Sequence, residues 1–260
     1  MPNQSSNPGT ETTPPRCLSF SIEANWGHFR EIHGNVVKGS YKIIPRTTLA
    51  GLIAAIIGLP RDSYYEYFTN ENSQIAIEPT DRLRTMNIAI NSLSTDSGGM
   101  NKVKGSSIEI KIPDPQALRQ QHTYEMLVDP SYRVDIWLNN NELYEELKTH
   151  LKNETSVYTP SLGLSEHIAS ITYHGEFEPT LRNSDGVVEV DSAIPEQTTK
   201  IIPISDQSHS IERSPSQMEA DETGRVRTAS QTIAYNPTSG ALTLRDVTTH
   251  TVDGRTVMFS

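Results

Sequence analysis

Residues 45–60 read PRTTLAGLIAAIIGLP, and this stretch sets the frame for the rest of the chain. It is apolar nearly all round, so a helix formed here is buried on every side. Pro45 precedes it, Thr47 or Thr48 can cap it, and Gly58 with Pro60 ends it. The apolar run from Leu49 to Leu59 is 11 residues, well short of the roughly 20 that a membrane-spanning helix needs. Upstream, residues 17–24 (CLSFSIEA) place Leu18, Phe20 and Ile22 on one face, the alternation of a half-buried strand. Downstream, strand-like stretches recur at 74–78, 85–93, 122–128 and 131–138, the last two flanking the turn Asp129-Pro130-Ser131. A second clear helix follows at 141–153 (NELYEELKTHLKN), where Leu143, Leu147 and Leu151 recur every four residues.

The order strand, helix, several strands, helix, strand predicts an α+β, ferredoxin-like or RNA-recognition-like domain. Two helices would cover one face of an antiparallel sheet, leaving the other face free, as in RNA-recognition domains. The expected organisation is a polar, Pro-rich disordered tail at 1–15, a ferredoxin-like domain at 16–175 and a smaller, mostly β region at 176–260. Within the domain, 36–43 reads as extended, 61–69 as a short helix with Tyr64, Tyr65, Tyr67 and Phe68, and 94–121 as a long mobile excursion. Further on, 165–178 and 186–204 read as strands, 205–231 as polar loop and 232–260 as Thr-rich short strands.

Of 260 residues, 35% are hydrophobic and 21% charged, a balance that argues against a membrane protein. The net charge is -10, with 14 Arg and 8 Lys; acid excess with few Lys predicts a salt-adapted, halophilic surface. The lone Cys17 excludes an intrachain disulfide and a multi-cysteine zinc site, and suits a reducing cytoplasm. The first 15 residues have no basic or apolar signal-peptide region. There is no G-x-S-x-G, H-E-x-x-H, P-loop or dinucleotide fingerprint. His28 and His33 beside Glu31 read better as exposed loop than as a metal pair, so neither metal nor cofactor is expected.

Charge is unevenly spread. Residues 16–61 hold six bases against Glu23 and Glu31, a balance of +4, whereas 62–260 carries -13. A second basic stretch, 99–121, holds Lys102, Lys104, Lys111 and Arg119 against Glu109 and Asp114. The first set interleaves with Trp26, Phe29 and Tyr41. Cations beside flat rings suit single-stranded RNA, where phosphates are held and bases stack at roughly 1–3 kcal/mol each. The plainer reading makes Trp26 and Phe29 core residues and the cations ordinary surface.

Several segments together resemble a known family. They are the strand Leu18 to Ile22, then Trp26-Gly27-His28-Phe29-Arg30, and Tyr41-x-x-x-Pro45 leading into Thr47-Thr48-Leu49-x-Gly51-Leu52-Ile53-x-Ala55-Ile56-x-Gly58. To these are added Val128-Asp129-Pro130-x-Tyr132-Arg133, Pro160-Ser161-Leu162-Gly163-Leu164-Ser165-Glu166, and Glu212-Arg213-x-Pro215 with 219–225. The pattern resembles the family-five Cas proteins, subunits of the type I CRISPR surveillance complex Cascade, and the last segment resembles their haloarchaeal type I-B branch. The resemblance implies a repeat-associated mysterious protein (RAMP) fold with a hairpin thumb, at about 94–121. It implies a non-catalytic antiviral-defence subunit that caps the crRNA 5′ handle and contacts the family-seven backbone and family-eight large subunits. The RNA contacts expected on this basis are Trp26, His28, Phe29, Arg30, Lys38, Tyr41, Lys42, Arg46, Lys102 and Lys104.

Two alternatives remain at this stage. One is a metal-independent endoribonuclease that processes precursor crRNA, with Tyr41 and His150 or Lys148 as acid–base groups. In the type I-C branch such an activity uses a Tyr and an adjacent Lys-His pair; here the nearest approach is Lys148-Thr149-His150. The other is an acidic protein-interaction module.

Overall fold

The computed structural model describes residues 13–31, 37–93, 100–104, 109–113, 119–183, 185–195, 200–205, 207–221 and 224–260, with the backbone alone over the described parts of 93–120 and at 221. The elements that matter below are β1 (Cys17–Glu23), α1 (Arg46–Ile57), β2 (Ser73–Pro79), β3 (Arg84–Leu93), β4 (Arg119–Val128), β5 (Ser131–Leu138), α2 (Asn141–Lys152), β6 (Ser170–Phe177), β7 (Ser210–Asp221) and β8 (Gly224–Tyr235). Among the described residues the chain is mostly strand with two α-helices.

The central sheet has the order β6-β1-β5-β2, every neighbouring pair antiparallel. Strand alternation decides its two faces. Leu18, Phe20 and Ile22 of β1 join Tyr132, Val134 and Ile136 of β5 and Ile75 and Ile77 of β2 in one core with the helices. From α1, Leu49, Leu52, Ile53, Ile56 and Ile57 enter that core, which fits its all-round apolarity. From α2 it receives Leu143, Tyr144, Leu147 and Leu151, one stripe at four-residue spacing. Asn140 caps α2 by accepting the Leu143 N–H at 3.1 Å. α1 starts differently from the sequence expectation: Pro45 is its N-cap, no side chain caps it, and Thr47 and Thr48 lie inside the helix. Gly58 ends it at φ 80, the left-handed conformation glycine adopts without penalty.

β3 and β4 pair over ten residues each, and Met100–Lys104 pairs with Glu109–Pro113 as a separate two-stranded ladder; the connecting parts of the thumb expected at about 94–121 lie outside the described residues. The segment 205–231, expected as loop, is instead the larger part of a hairpin. β7 and β8, twelve residues each, pair antiparallel from Ser210↔Tyr235 to Asp221↔Gly224. Its base is anchored in the main core through Ile233 and Tyr235.

The second sheet face is covered. Arg255 donates to Asp135 at 2.7 Å and to Glu78 at 2.9 Å, and Arg133 bridges Ser19 at 2.7 Å and Asp253 at 2.9 Å. Cys17, Ala76, Val252 and Val257 pack together beside this network. Burial works against the Arg255 charge, yet Asp135 and Glu78 outweigh it and raise its pKa. This corrects the expectation of a free sheet face: residues 252–257 occupy much of the surface that an RNA-recognition domain would present.

Candidate nucleic-acid interface

A cleft of about 440 Å³ opens where α1 begins. One wall carries His28, Phe29, Arg30 and Tyr41; the helix contributes Thr47, Thr48 and Gly51; Tyr64 and Tyr65 close one end. The segment 159–164 forms part of its floor, and Pro215, Met218 and Arg225 of the hairpin lean in from above. A second pocket of about 420 Å³, lined by Glu31, Tyr41, Glu212, Arg213, Arg227 and Ser230, shares Tyr41 with it.

The hairpin is tied down at both ends of this cleft. At its base, the Glu212 carboxylate accepts the N–H of Lys42 at 3.0 Å and of Ile43 at 2.9 Å. Burial raises the Glu212 pKa, and those two N–H groups only partly oppose it. Near the tip, Arg225 meets Asp62 at 2.6 Å, and the Tyr65 hydroxyl donates to the same oxygen at 2.7 Å. The Tyr65 hydroxyl, with Arg225 behind it, holds the Asp62 carboxyl below the usual range. Tyr64 and Tyr65 lie with ring centroids 4.7 Å apart.

The floor depends on one glycine. His28 N–H donates to the Leu162 carbonyl at 3.0 Å, which seats the 160s segment against the 26–30 strand region. Gly163 follows at φ +94, and a Cβ there would stand 1.8 Å from the His28 carbonyl oxygen.

The structure sorts the ten residues expected to touch RNA. Arg30 is exposed at the cleft, and no described residue holds its side chain by hydrogen bond or ion pair. Trp26 is half-buried beside Val128. Phe29 and Tyr41 are paired across two short strands and belong to the main core, so neither ring is free to stack broadly on a base. Lys38 is buried at 9% exposure. Lys42 is half-buried and committed, its Nζ on Glu125 at 2.9 Å and on the Ser40 carbonyl at 2.7 Å. Lys102 and Lys104 sit in the strand at 100–104, and their side chains lie outside the described residues, as does His33 altogether.

Arg46 is a correction. It is the first residue of α1, 1% exposed, and its guanidinium is spent inside the protein. Nε donates to the Phe68 carbonyl at 2.9 Å; the two terminal nitrogens reach Thr69, Ser73 and Ser260. No donor is left for a phosphate.

His28 is 2% exposed and donates from Nδ1 to the Glu125 carbonyl at 2.9 Å, while its buried Nε2 meets no partner among the described residues. Burial lowers its pKa. In the unfolded chain the ring titrates near ~6.5. Below that pH the unfolded state binds a proton the folded state resists, so stability falls as pH drops from about 6.5 toward the lowered folded value. His28→Asn should flatten that part of the pH–stability profile; an unchanged slope in urea melts from pH 7 to pH 5 would refute the assignment.

Of the groups considered for an endoribonuclease, Tyr41 lines both pockets. Burial raises the Tyr41 pKa. Lys148 Nζ pairs with Glu176 at 2.6 Å, and His150 Nδ1 contacts the Thr155 hydroxyl at 3.1 Å. Neither is joined to Tyr41 by hydrogen bond or ion pair among the described residues. Among the described residues no cluster of three or more His, Cys, Asp or Glu could hold a metal ion, and no helix is long and apolar enough to cross a membrane.

Sequence reading missed Tyr64, Tyr65, Arg213, Arg225 and Arg227 as cleft residues. A signal was present for two of them: in Gly224-Arg225-Val226-Arg227 the arginines are two apart after a turn, which puts both on one face if the segment is a strand.

The fold is of a kind seen before: a mostly β chain with two helices on one side of its central sheet. No protein-family model matches the chain, and no curated protein does. Two solved structures share the architecture. The crystal structure of a CRISPR protein from Archaeoglobus fulgidus aligns over 93% of this chain and 98% of its own, at 13% identity and a TM-score of 0.54. A chain of a CRISPR RNA-guided surveillance complex aligns over 87% of this chain and 91% of its own, at 11% identity and a TM-score of 0.50. At these identities the likeness is one of fold.

Proposed function

We propose that this chain is a structural, crRNA-binding subunit of a type I CRISPR surveillance complex, of the type I-B branch, acting in the cytoplasm. In this reading it is a ferredoxin-like RAMP domain that caps the crRNA 5′ handle and contacts the family-seven backbone and family-eight large subunits. The observation that carries the reading is the cleft at the start of α1. There Arg30, with no partner among the described residues, a tyrosine pair and an arginine-bearing hairpin face one another on a fold shared with CRISPR proteins. The strand order β6-β1-β5-β2, with both helices on one face, supports the ferredoxin-like description. With that sheet face occupied, this reading puts the RNA in the cleft. The chain is read as non-catalytic because Tyr41 is buried and Lys148 is bound to Glu176.

The test is co-purification of the complex with wild-type or Arg30→Glu subunit, followed by quantification and sizing of the RNA. Charge reversal at a free phosphate ligand should lower crRNA retention roughly tenfold, because charge-assisted contacts contribute about 1.5–3 kcal/mol each. Repeat RNA incubated with the subunit alone should stay intact. Wild-type crRNA content in the variant would refute the cleft as the binding site.

A further inference from the structure

The hairpin carries arginines that the acidic balance of residues 62–260 conceals. Arg225 and Arg227 are two apart on β8 and share a face with their cross-strand partners Ala220 and Met218, while Glu219 and Val226 lie on the opposite face. Arg225 lines the cleft, and Arg227 and Arg213 line the adjoining pocket. Arg30 faces them from the other wall. No hydrogen bond or ion pair to a described residue holds Arg30, Arg213 or Arg227.

Arg225 differs, because it is paired with Asp62, the two side chains being 39% and 30% exposed. A part-exposed ion pair of this kind contributes little and exchanges readily. When Arg225 leaves, Asp62 keeps the Tyr65 hydroxyl, so no polar group is stranded. The step from Arg225 to Arg227 is about 6.7 Å along an extended strand, comparable with the phosphate step of an extended nucleotide chain.

We infer that the hairpin β7–β8 is a phosphate clamp for a single strand of RNA in the cleft, and that the Arg225–Asp62 pair is its latch. Arg225 exchanges the Asp62 carboxylate for a phosphate oxygen as the strand enters, and Arg227 takes the neighbouring phosphate. Asp62 thereby has a purpose beside the cleft: it holds the empty clamp down and is displaced by a stronger anion. This rests on the RNA-binding reading above and adds to it the residues and the exchange.

The test is a double-mutant cycle on the full-length protein, with fluorescence anisotropy of a short labelled single-stranded oligouridylate at several salt concentrations. Arg225→Ala should weaken binding roughly tenfold. Asp62→Asn, which keeps the hydrogen bond from Tyr65, should tighten it several-fold by removing the competitor. The double variant should bind like Arg225→Ala alone. Arg227→Ala should flatten the slope of log affinity against log salt by about 0.7, the loss of one phosphate contact. Melting curves matching the wild type establish that each variant is folded. Asp62→Asn binding more weakly than wild type would overturn the latch. Binding lost in Arg30→Glu but untouched by Arg225→Ala and Arg227→Ala would overturn the clamp and leave the RNA reading standing. A wild-type protein that binds no RNA would overturn both.

Discussion

Replacing Arg46 with alanine is expected to cost roughly 3–5 kcal/mol of folding stability and to lower the melting temperature by roughly 6–20 °C. The side chain is 1% exposed and feeds carbonyl or hydroxyl oxygens of Phe68, Thr69, Ser73 and Ser260. Burial lowers its pKa to about 10, so it stays charged at neutral pH. The charge is tolerated because a forked guanidinium can satisfy several oxygens at once. Alanine would strand those acceptors, each at about 1–3 kcal/mol, and leave a void. Lysine would not rescue, since one ammonium cannot span acceptors at both 68–73 and 260. Thermal melting followed by circular dichroism checks this; a melting temperature within about 2 °C of wild type, under ~1 kcal/mol, would show that the network is dispensable.

Gly163→Ala should be the most damaging glycine-to-alanine change among the described residues. At φ +94 an L-residue is strained by about 1–3 kcal/mol before any contact is counted. The added Cβ would also stand 1.8 Å from the backbone oxygen of His28, which no rotamer change relieves. Either the 160s segment lifts off or the 26–30 strand region moves, and both break the His28–Leu162 hydrogen bond. The expected result is a loss of at least about 2 kcal/mol together with loss of the cleft floor. Gly186→Ala is the control: it also has a positive φ, 152, but nothing lies within 4 Å of the new methyl. Chemical denaturation of the two variants side by side tests the contrast, and equal destabilisation would refute it.

The central sheet and α2 were legible because their residues carry a period, and α1 because its apolar run is bounded by Pro45 and Gly58. The Leu143-Leu147-Leu151 stripe gives α2 its buried face, Leu18, Phe20 and Ile22 point into the main core from β1, and the ends of 131–138 agree with the observed strand to the residue. The hairpin 210–235 was not legible, for the same physical reason. Its outer half packs little core, so Ser, Gln, Thr, Glu and Arg occupy both faces and no apolar alternation marks it. Its pairing is carried by the backbone ladder and by Glu212 and Arg225, whose partners at 42–43 and 62 are far away in sequence.

The candidate site was half legible. Residues of the basic, aromatic segment 26–46 do form a wall of the cleft, and Arg30 lines it. Composition could not tell which cations are spent. Arg46 reads like a surface base before a helix, and only the carbonyls at 68, 69, 73 and 260 turn it into a core residue. Lys42 is neutralised by Glu125, a partner 83 residues away. The cations that remain available on the far wall, Arg213 and Arg227, lie in the acidic part of the chain.

The contacts that close the second sheet face and the Arg46 network span most of the chain: 214 residues separate Arg46 from Ser260, and 236 separate Ser19 from Arg255. A ribosome adding about 5–20 residues per second takes roughly 10–40 s to cross the first of those gaps. Throughout that interval α1 carries a guanidinium without its full set of acceptors, and the Ser19–Asp135 side of the sheet lacks Arg255. The hairpin that roofs the cleft emerges late as well. The cleft is therefore incomplete until the hairpin and residues 252–260 have been synthesised, and their docking is a long-range event. Until then the apolar faces of α1 and of the central sheet are only partly covered, and early intermediates need shielding from aggregation.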